Sequence, residues 1–368
     1  MGFVALLLAP TAAEGRLQKA LRTVALGLRH EISPNDLNRM ERARVREVRI
    51  TLFWPAVEAT ENRYNWAQPD AMVGGLASRG IRPLPVLFGS PDWTSEESGL
   101  LGLGHVLNLG VHSIGLSSHS IPPLGSRRAR EGWQRFVRLA VKRYGRGGTF
   151  WGEEFSERYP GAKPRPIRLW QVWNEPNLAN TFRPEPDPEL YGELLRLSEE
   201  AIHGVQPGAR IALGGIPGPA PFAGWDWLDR LYQVEGAKDL FDVVAVHSYS
   251  ADMRDFRAHL ARFRDIMRRN GDGRSRIWLS ELGYGSARGD HRINLGPRGQ
   301  AKALREAFRT VRKHRRFAIS RVTWFNWRDP DSYRGDCEWC PHAGLFDAAG
   351  RAKPSWRAYR RSTQARHR

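Results

Sequence analysis

The sequence predicts an α/β protein folded as a single (β/α)8 barrel of the TIM type. Strand-like apolar runs and amphipathic helical segments alternate along the chain, eight of each, which argues for a parallel sheet closed on itself. The 368 residues suit one large barrel or two medium domains, and a hydrophobic content of 41% can fill a sizeable core. No repeat of roughly 20–50 residues points to a solenoid instead.

The elements can be justified in order. Val24–Leu28 reads as the first strand, after which Ser33-Pro34-Asn35-Asp36 caps a helix of about ten residues carrying Leu37, Met40 and Val45. Val48–Phe53 is the second strand, and the helix Pro69–Ser78 stops at Gly80. Ile81–Phe88 is the third apolar run; Pro83 and Pro85 make it a barrel strand only with distortion. Arg128–Tyr144 is an amphipathic helix with Trp133, Phe136, Val137 and Ala140 on one face. The second half is more regular, with strands at Ile167–Trp173, Arg210–Leu213, Phe241–Val246, Arg276–Ser280 and Ile319–Phe325. Its helices are expected at Pro188–Val205, Trp225–Val234, Phe256–Arg269, Arg298–His314 and Trp356–Arg361.

Three segments fall outside this rhythm. Residues 94–127, rich in Ser, Gly and His, are too long for an ordinary βα loop and form an insertion, either a lid or a poorly ordered stretch. Residues 1–15 combine a short apolar run with Pro-Thr-Ala-Ala13, like the core and cleavage zone of a secretory leader that lacks its basic start. They are read as a truncated signal segment, which predicts an extracellular or cell-envelope location; an apolar terminus packed under the barrel is the other reading. The single domain is expected over 22–362, with a basic tail at 363–368. No run of 18 apolar residues occurs, so no membrane insertion is expected.

The charge balance narrows the function classes. Lys plus Arg number 57 against 39 Asp plus Glu, a net +18, yet the arginines are scattered along helix faces with no nucleic-acid-binding pattern beside them. No nucleic-acid partner is expected. No His-Glu-x-x-His, phosphate loop or dinucleotide fingerprint is present, so no cofactor is implied.

Catalytic groups in such barrels lie at the carboxyl ends of strands. Arg49 sits on the second strand, Trp173-Asn174-Glu175-Pro176-Asn177 ends the fourth, and His247-Ser248-Tyr249 ends the sixth. The seventh strand carries Ser280-Glu281-Leu282-Gly283-Tyr284, and the eighth Trp324-Phe325-Asn326-Trp327. Two carboxylates, Glu175 and Glu281, therefore finish the fourth and seventh strands.

This constellation resembles the clan A retaining glycoside hydrolases, nearest to family 39 β-xylosidase-like and family 5 cellulase-like members. The likeness rests on Asn174-Glu175-Pro176 within Arg168–Asn177, on the seventh-strand motif, on Arg49, on His247-x-Tyr249, on Trp324, and on Phe53-Trp54-Pro55 with Tyr64-Asn65-Trp66; it runs from about Val24 to Tyr359. The insertion at 94–127 departs from the pattern and leaves the groove's shape open. The resemblance implies Glu175 as acid/base and Glu281 as nucleophile in a double displacement with retention. Two carboxylates suit that chemistry because one protonates the leaving oxygen while the other meets the anomeric carbon. Glu175 should then rest protonated, and Glu281 should be ionised by donors such as Tyr249 and Arg49.

Each residue also admits a structural role. Glu175 could be a helix-start charge, Glu281 a carboxylate paired with any arginine, Asn174 a turn residue, and Arg49 a buried partner of Glu47 or Glu58. As site residues, Asn174 would bond the sugar 2-hydroxyl, His247 would contact substrate, and Trp324 would stack on a sugar ring. Trp54, Trp93, Trp173 and Trp327 are further stacking candidates, although most of the 14 tryptophans must be core. No metal ligand is expected. Cys337-Glu-Trp-Cys340 resembles pairs in the last loop of related barrels, where a disulfide is implied; free thiols and a metal site are the alternatives. The expected function is a β-glycosidase acting on a carbohydrate substrate, with a carbohydrate-binding pseudoenzyme or a basic polymer-binding protein as rivals.

Overall fold

The computed structural model describes residues 19–27, 31–95, 119–218, 223–289, 291–333, 335 and 337–364. The segment at 1–15, most of the 94–127 insertion and the last four residues of the tail lie outside the described residues.

Among the described residues, eight main strands pair in parallel in chain order: β1 (Thr23–Ala25), β2 (Glu47–Phe53), β3 (Arg82–Phe88), β4 (Leu169–Val172), β5 (Arg210–Ala212), β6 (Val243–His247), β7 (Arg276–Leu282) and β8 (Ile319–Trp324). β8 returns to β1 through Thr23↔Thr323, and a two-residue strand, Ile216–Pro217, completes the seam between β5 and β6. The barrel is therefore closed. Each strand is followed by a helix: α1 (Pro34–Arg42), α2 (Ala67–Ser78), α3 (Arg127–Tyr144), α4 (Pro188–His203), α5 (Gly224–Gln233), α6 (Met253–Arg269), α7 (Gly296–Lys313) and α8 (Pro354–Gln364). The last helix thus takes in Thr363 and Gln364 of the expected tail.

Capping chemistry sets several helix starts. Ser33 accepts from the Asp36 amide, Ser126 from Ala129, Asp187 from Glu189 and Leu190, and Asp252 from Arg254 and Asp255. Pro34 and Pro188 stand in the first turns, where a missing N–H costs nothing.

The distortion expected from Pro83 and Pro85 does not occur. β3 pairs with β2 in one unbroken register from Glu47↔Arg82 to Phe53↔Phe88. The Arg82 amide bonds the Arg46 carbonyl while the Leu87 carbonyl receives the Trp173 amide, so even-numbered residues address β2 and odd-numbered ones β4. Both prolines fall on the β4 side, where pairing begins only at Val86.

Alternation along the strands separates an inner from an outer face. Leu84, Leu169, Ala212, Val243, Ala245 and Trp278 form a small buried cluster of their own inside the barrel. Leu169 shares its face with Gln171, and Val243 and Ala245 share theirs with His247, so an apolar plug lies beneath a polar layer. Lower still, Arg321 pairs with Glu47 at 2.6 Å, and the Trp278 indole donates to Thr323 at 2.8 Å. The large core cluster fills the space between strands and helices.

Candidate active site

The chain leaves β4 through a turn in which Trp173 (φ 67°) and Glu175 (φ 49°) take the left-handed conformation. Non-glycine residues held there cost about 1–3 kcal/mol each and cluster at functional sites. Three bonds hold this turn: the Glu175 amide to the Gly214 carbonyl at 2.7 Å, the Thr181 hydroxyl to the Glu175 carbonyl at 2.7 Å, and the Trp173 indole to the Thr181 carbonyl at 2.6 Å. Next to it, Gly215 has φ +73°, and a Cβ there would lie 2.2 Å from Nε2 of His247. Only glycine leaves room there for the Nε2 end of the imidazole.

The functional side chains converge above the plug. Arg49 is 6% exposed and spends its guanidinium three ways: Nε to Gln171 at 2.7 Å, NH1 to Glu281 Oε1 at 2.6 Å, and NH2 to Asn174 Oδ1 at 2.7 Å. It pairs with neither Glu47 nor Glu58. Glu281, 8% exposed, also accepts a hydrogen bond at Oε2 from the Tyr249 hydroxyl. His247 is fully buried; its Nδ1 lies 2.7 Å from Glu175 Oε1 and its Nε2 3.7 Å from Glu281 Oε1. Because the Asn174 carbonyl is taken by Arg49, its amide N–H groups are what it offers to a ligand.

Burial pushes the Glu281 pKa up, but the charges of His247 and Arg49 and the hydrogen bonds from Tyr249 and Arg49 outweigh it and hold it below the ordinary glutamate value. The Tyr249 hydroxyl is pushed the other way, by its burial first and by the Glu281 and Glu175 charges next, so it stays a donor. The site thus keeps one carboxylate ionised and fixed by three neighbours. Glu175, half-buried, keeps a more open setting.

The tryptophan expected to stack on sugar is a correction. Thr323 faces the lumen, where it bonds Trp278, so Trp324 points to the outer face and is wholly buried beside Tyr284. A ring without an exposed face offers none to a ligand. Trp54, Trp93, Trp173 and Trp327 are core as well. The next residue, Phe325, lies on the inner side, is partly exposed, and packs 5.9 Å from Trp339, which in turn meets Tyr249 at 4.5 Å. Cys337 and Cys340, with Cα atoms 5.4 Å apart, are disulfide-bonded around that tryptophan.

Sequence reasoning missed Gln171, Phe325 and Trp339. A glutamine inside the apolar run Leu169-Trp170-Gln171-Val172 was a usable signal, as was strict alternation for Phe325; for Trp339 the only sign was its place between the cysteines. Among the described residues, Glu175, His247 and Glu281 are the group that could share a metal ion, with one donor atom of each lying within 4.8 Å of the others. The Arg49 guanidinium already delivers positive charge to Glu281, and His247 is bonded to Glu175, so hydrogen bonding accounts for the arrangement without an ion.

Fold and site together define a barrel of the glycoside hydrolase class. The sequence profile of the family described as glycosyl hydrolase catalytic core matches residues 146–359, more than half of the chain and including Glu175, His247, Tyr249 and Glu281. The chain belongs to that family. Its structure is similar to that of a family 39 glycoside hydrolase from Bacteroides cellulosilyticus WH2, with 19% identity, a TM-score of 0.63, and 95% of this chain covering 64% of that one. It is similar also to a family 39 β-xylosidase from Caulobacter crescentus (18%, TM-score 0.60, 92% over 70%) and a glucosidase from Croceicoccus marinus (17%, TM-score 0.64, 94% over 66%). The chain therefore spans about two thirds of the length of these proteins. A comparison with curated proteins finds no match.

Proposed function

We propose that the protein is a retaining O-glycoside hydrolase that cleaves β-linkages of an oligo- or polysaccharide, with Glu175 as acid/base and Glu281 as nucleophile. One observation carries this reading: oxygens of Glu175 and Glu281 lie within 4.8 Å of each other at the carboxyl ends of β4 and β7. That closeness supports direct attack, for which the carboxyl groups stand about 5–5.5 Å apart, over a water-mediated inversion at about 6.5–9.5 Å.

The residues divide the work. Glu281, ionised and aimed by Arg49 and Tyr249, attacks the anomeric carbon while Glu175 gives a proton to the leaving oxygen. A covalent glycosyl ester on Glu281 results, and Glu175, now a base, takes a proton from the water that releases the sugar. His247, between the two carboxylates, holds Glu175 by a hydrogen bond through both steps. Asn174 offers its amide to the 2-hydroxyl, and Phe325 offers a partly exposed ring to a sugar face. The disulfide supports an extracellular or cell-envelope location.

The test is a panel of aryl glycosides and polysaccharides with the wild type, Glu281→Ala and Glu175→Ala. Glu281→Ala should lose activity on every substrate. Glu175→Ala should suffer most with poor leaving groups, because an activated aryl group needs little protonation. Azide should rescue Glu175→Ala to a β-glycosyl azide and Glu281→Ala to the α-product. An α-product from Glu175→Ala, or equal response of both variants to leaving-group ability, would overturn the assignment; a wild type without turnover would leave a carbohydrate-binding protein.

A further inference from the structure

Trp339 is assigned no step in that chemistry, yet it touches three parts of the site. It is 6% exposed and sits within the loop closed by Cys337 and Cys340. Its ring meets Tyr249 edge-on, centroids 4.5 Å apart at 61°, and Phe325 at 5.9 Å and 69°. It rests on the chain just beyond Glu281: a Cβ on Gly283 would come 3.3 Å from the indole Cζ3 and 2.2 Å from the Phe325 carbonyl oxygen, and a Cβ on Gly285 would come 3.2 Å from the Trp339 Cβ. Side chains at those two positions would press on Trp339 by a few tenths of an ångström, while colliding outright with the Phe325 carbonyl and the Asn294 side chain. The ring it abuts, Tyr249, donates its hydroxyl to Glu281.

We propose that Trp339 is a positioning residue for Glu281, acting through Tyr249, and that the Cys337–Cys340 bond keeps it seated. This rests on the reading of Glu281 as nucleophile. A phenol packed this closely against an indole has fewer rotamers that carry its hydroxyl away from the carboxylate, and a loop closed by a covalent bond has fewer conformations in which the indole is withdrawn. The titratable and charged groups facing Glu281 are Arg49 from β2, His247 and Tyr249 from β6 and its following loop, and Glu175 after β4. Trp339 adds no charge to that set. Its effect on Glu281 has to pass through the geometry of the Tyr249 hydrogen bond.

The experiment compares Trp339→Ala, Trp339→Phe, Tyr249→Phe and the double variant Tyr249→Phe with Trp339→Ala on aryl β-glycosides. Trp339→Ala should lower kcat by about tenfold with KM changed less than about twofold, and Trp339→Phe should recover most of the loss. In the Tyr249→Phe background the same truncation should change kcat less than about twofold, because the path is already cut. Replacing both cysteines by serine should act in the direction of Trp339→Ala, less strongly. A ¹³C-glutamate titration, with the Glu281 signal identified by its loss in Glu281→Gln, should show the Glu281 midpoint rising in Trp339→Ala. Full additivity in the double variant, or an unmoved Glu281 midpoint, would overturn the proposal. If Trp339→Ala fails to fold, Trp339→Phe and the serine pair carry the same comparison. Should the wild type turn over no glycoside while the titration responds to Trp339, the catalytic reading fails and the positioning inference stands.

Discussion

Glu281 sets the pH behaviour expected at the scale of single residues. Burial alone would raise its pKa, but His247, Arg49 and Tyr249 together bring it below the ordinary value. A depressed folded-state pKa means that the stability it contributes is present above the unfolded value and is lost as pH falls through the folded one. The acid limb of kcat/KM, which reports the free enzyme, should therefore lie below about pH 4.3. Tyr249→Phe should move that limb upward; a limb that stays put would show that Tyr249 does not hold the carboxylate. A second contrast concerns neighbours in sequence. Trp324→Ala should cost about 3–5 kcal/mol in denaturant unfolding, because a buried indole leaves a cavity. Phe325→Ala should instead raise KM for oligosaccharides with little change in stability. The reverse pattern would mean that the alternation has been assigned to the wrong faces.

At the scale of elements, the turn after β5 shows how backbone and site depend on each other. Gly214 receives the Glu175 amide and Gly215 makes room for His247, so two adjacent glycines seat one carboxylate and the imidazole beside it. Gly215→Ala should destabilise the fold by about 1–3 kcal/mol through its positive φ alone, and should also displace His247. The check is denaturant unfolding together with kcat; a variant of wild-type stability and activity would refute the argument. The elements also show what could be read in advance. The first helix start was legible because Ser33 caps it through local chemistry, whereas α6 begins at Met253 behind its Asp252 cap, three residues ahead of the expected Phe256. Glu175, Glu281, Arg49, Asn174, His247 and Tyr249 were legible as a group because each occupies a strand or follows the end of one by at most three residues. Trp324 was misassigned because residue type was weighed above strand parity, and Pro83 and Pro85 because the side to which a residue's amide points in a parallel ladder depends on its neighbours' register. Trp339 depended on a fold-back of the last loop that no local pattern announces.

At the scale of the molecule, part of the cationic excess behind the net charge of +18 is taken up in ion pairs. On α3, Arg128 and Arg135 pair with Glu61, Arg130 with Glu193, and Arg143 with Asp70 and Glu154. These arginines fasten the helix to its neighbours and present no continuous basic face. α3 should accordingly add little to any retention on heparin, so charge reversal at its exposed Arg127 should leave the salt midpoint of elution unchanged; a shift would reveal a polyanion site on that helix.

The buried plug inside the barrel fixes how matter moves through the molecule. Leu84, Leu169, Ala212, Val243, Ala245 and Trp278 seal the lumen beneath Arg49 and Gln171, and the Glu47–Arg321 pair closes it further down. Among the described residues, the site is therefore closed from below and opens only toward the carboxyl ends of the strands. On the proposed reading, an arriving sugar, the departing aglycone and the hydrolytic water share that mouth, so a spent fragment lingering there delays the next turnover as surely as a slow chemical step.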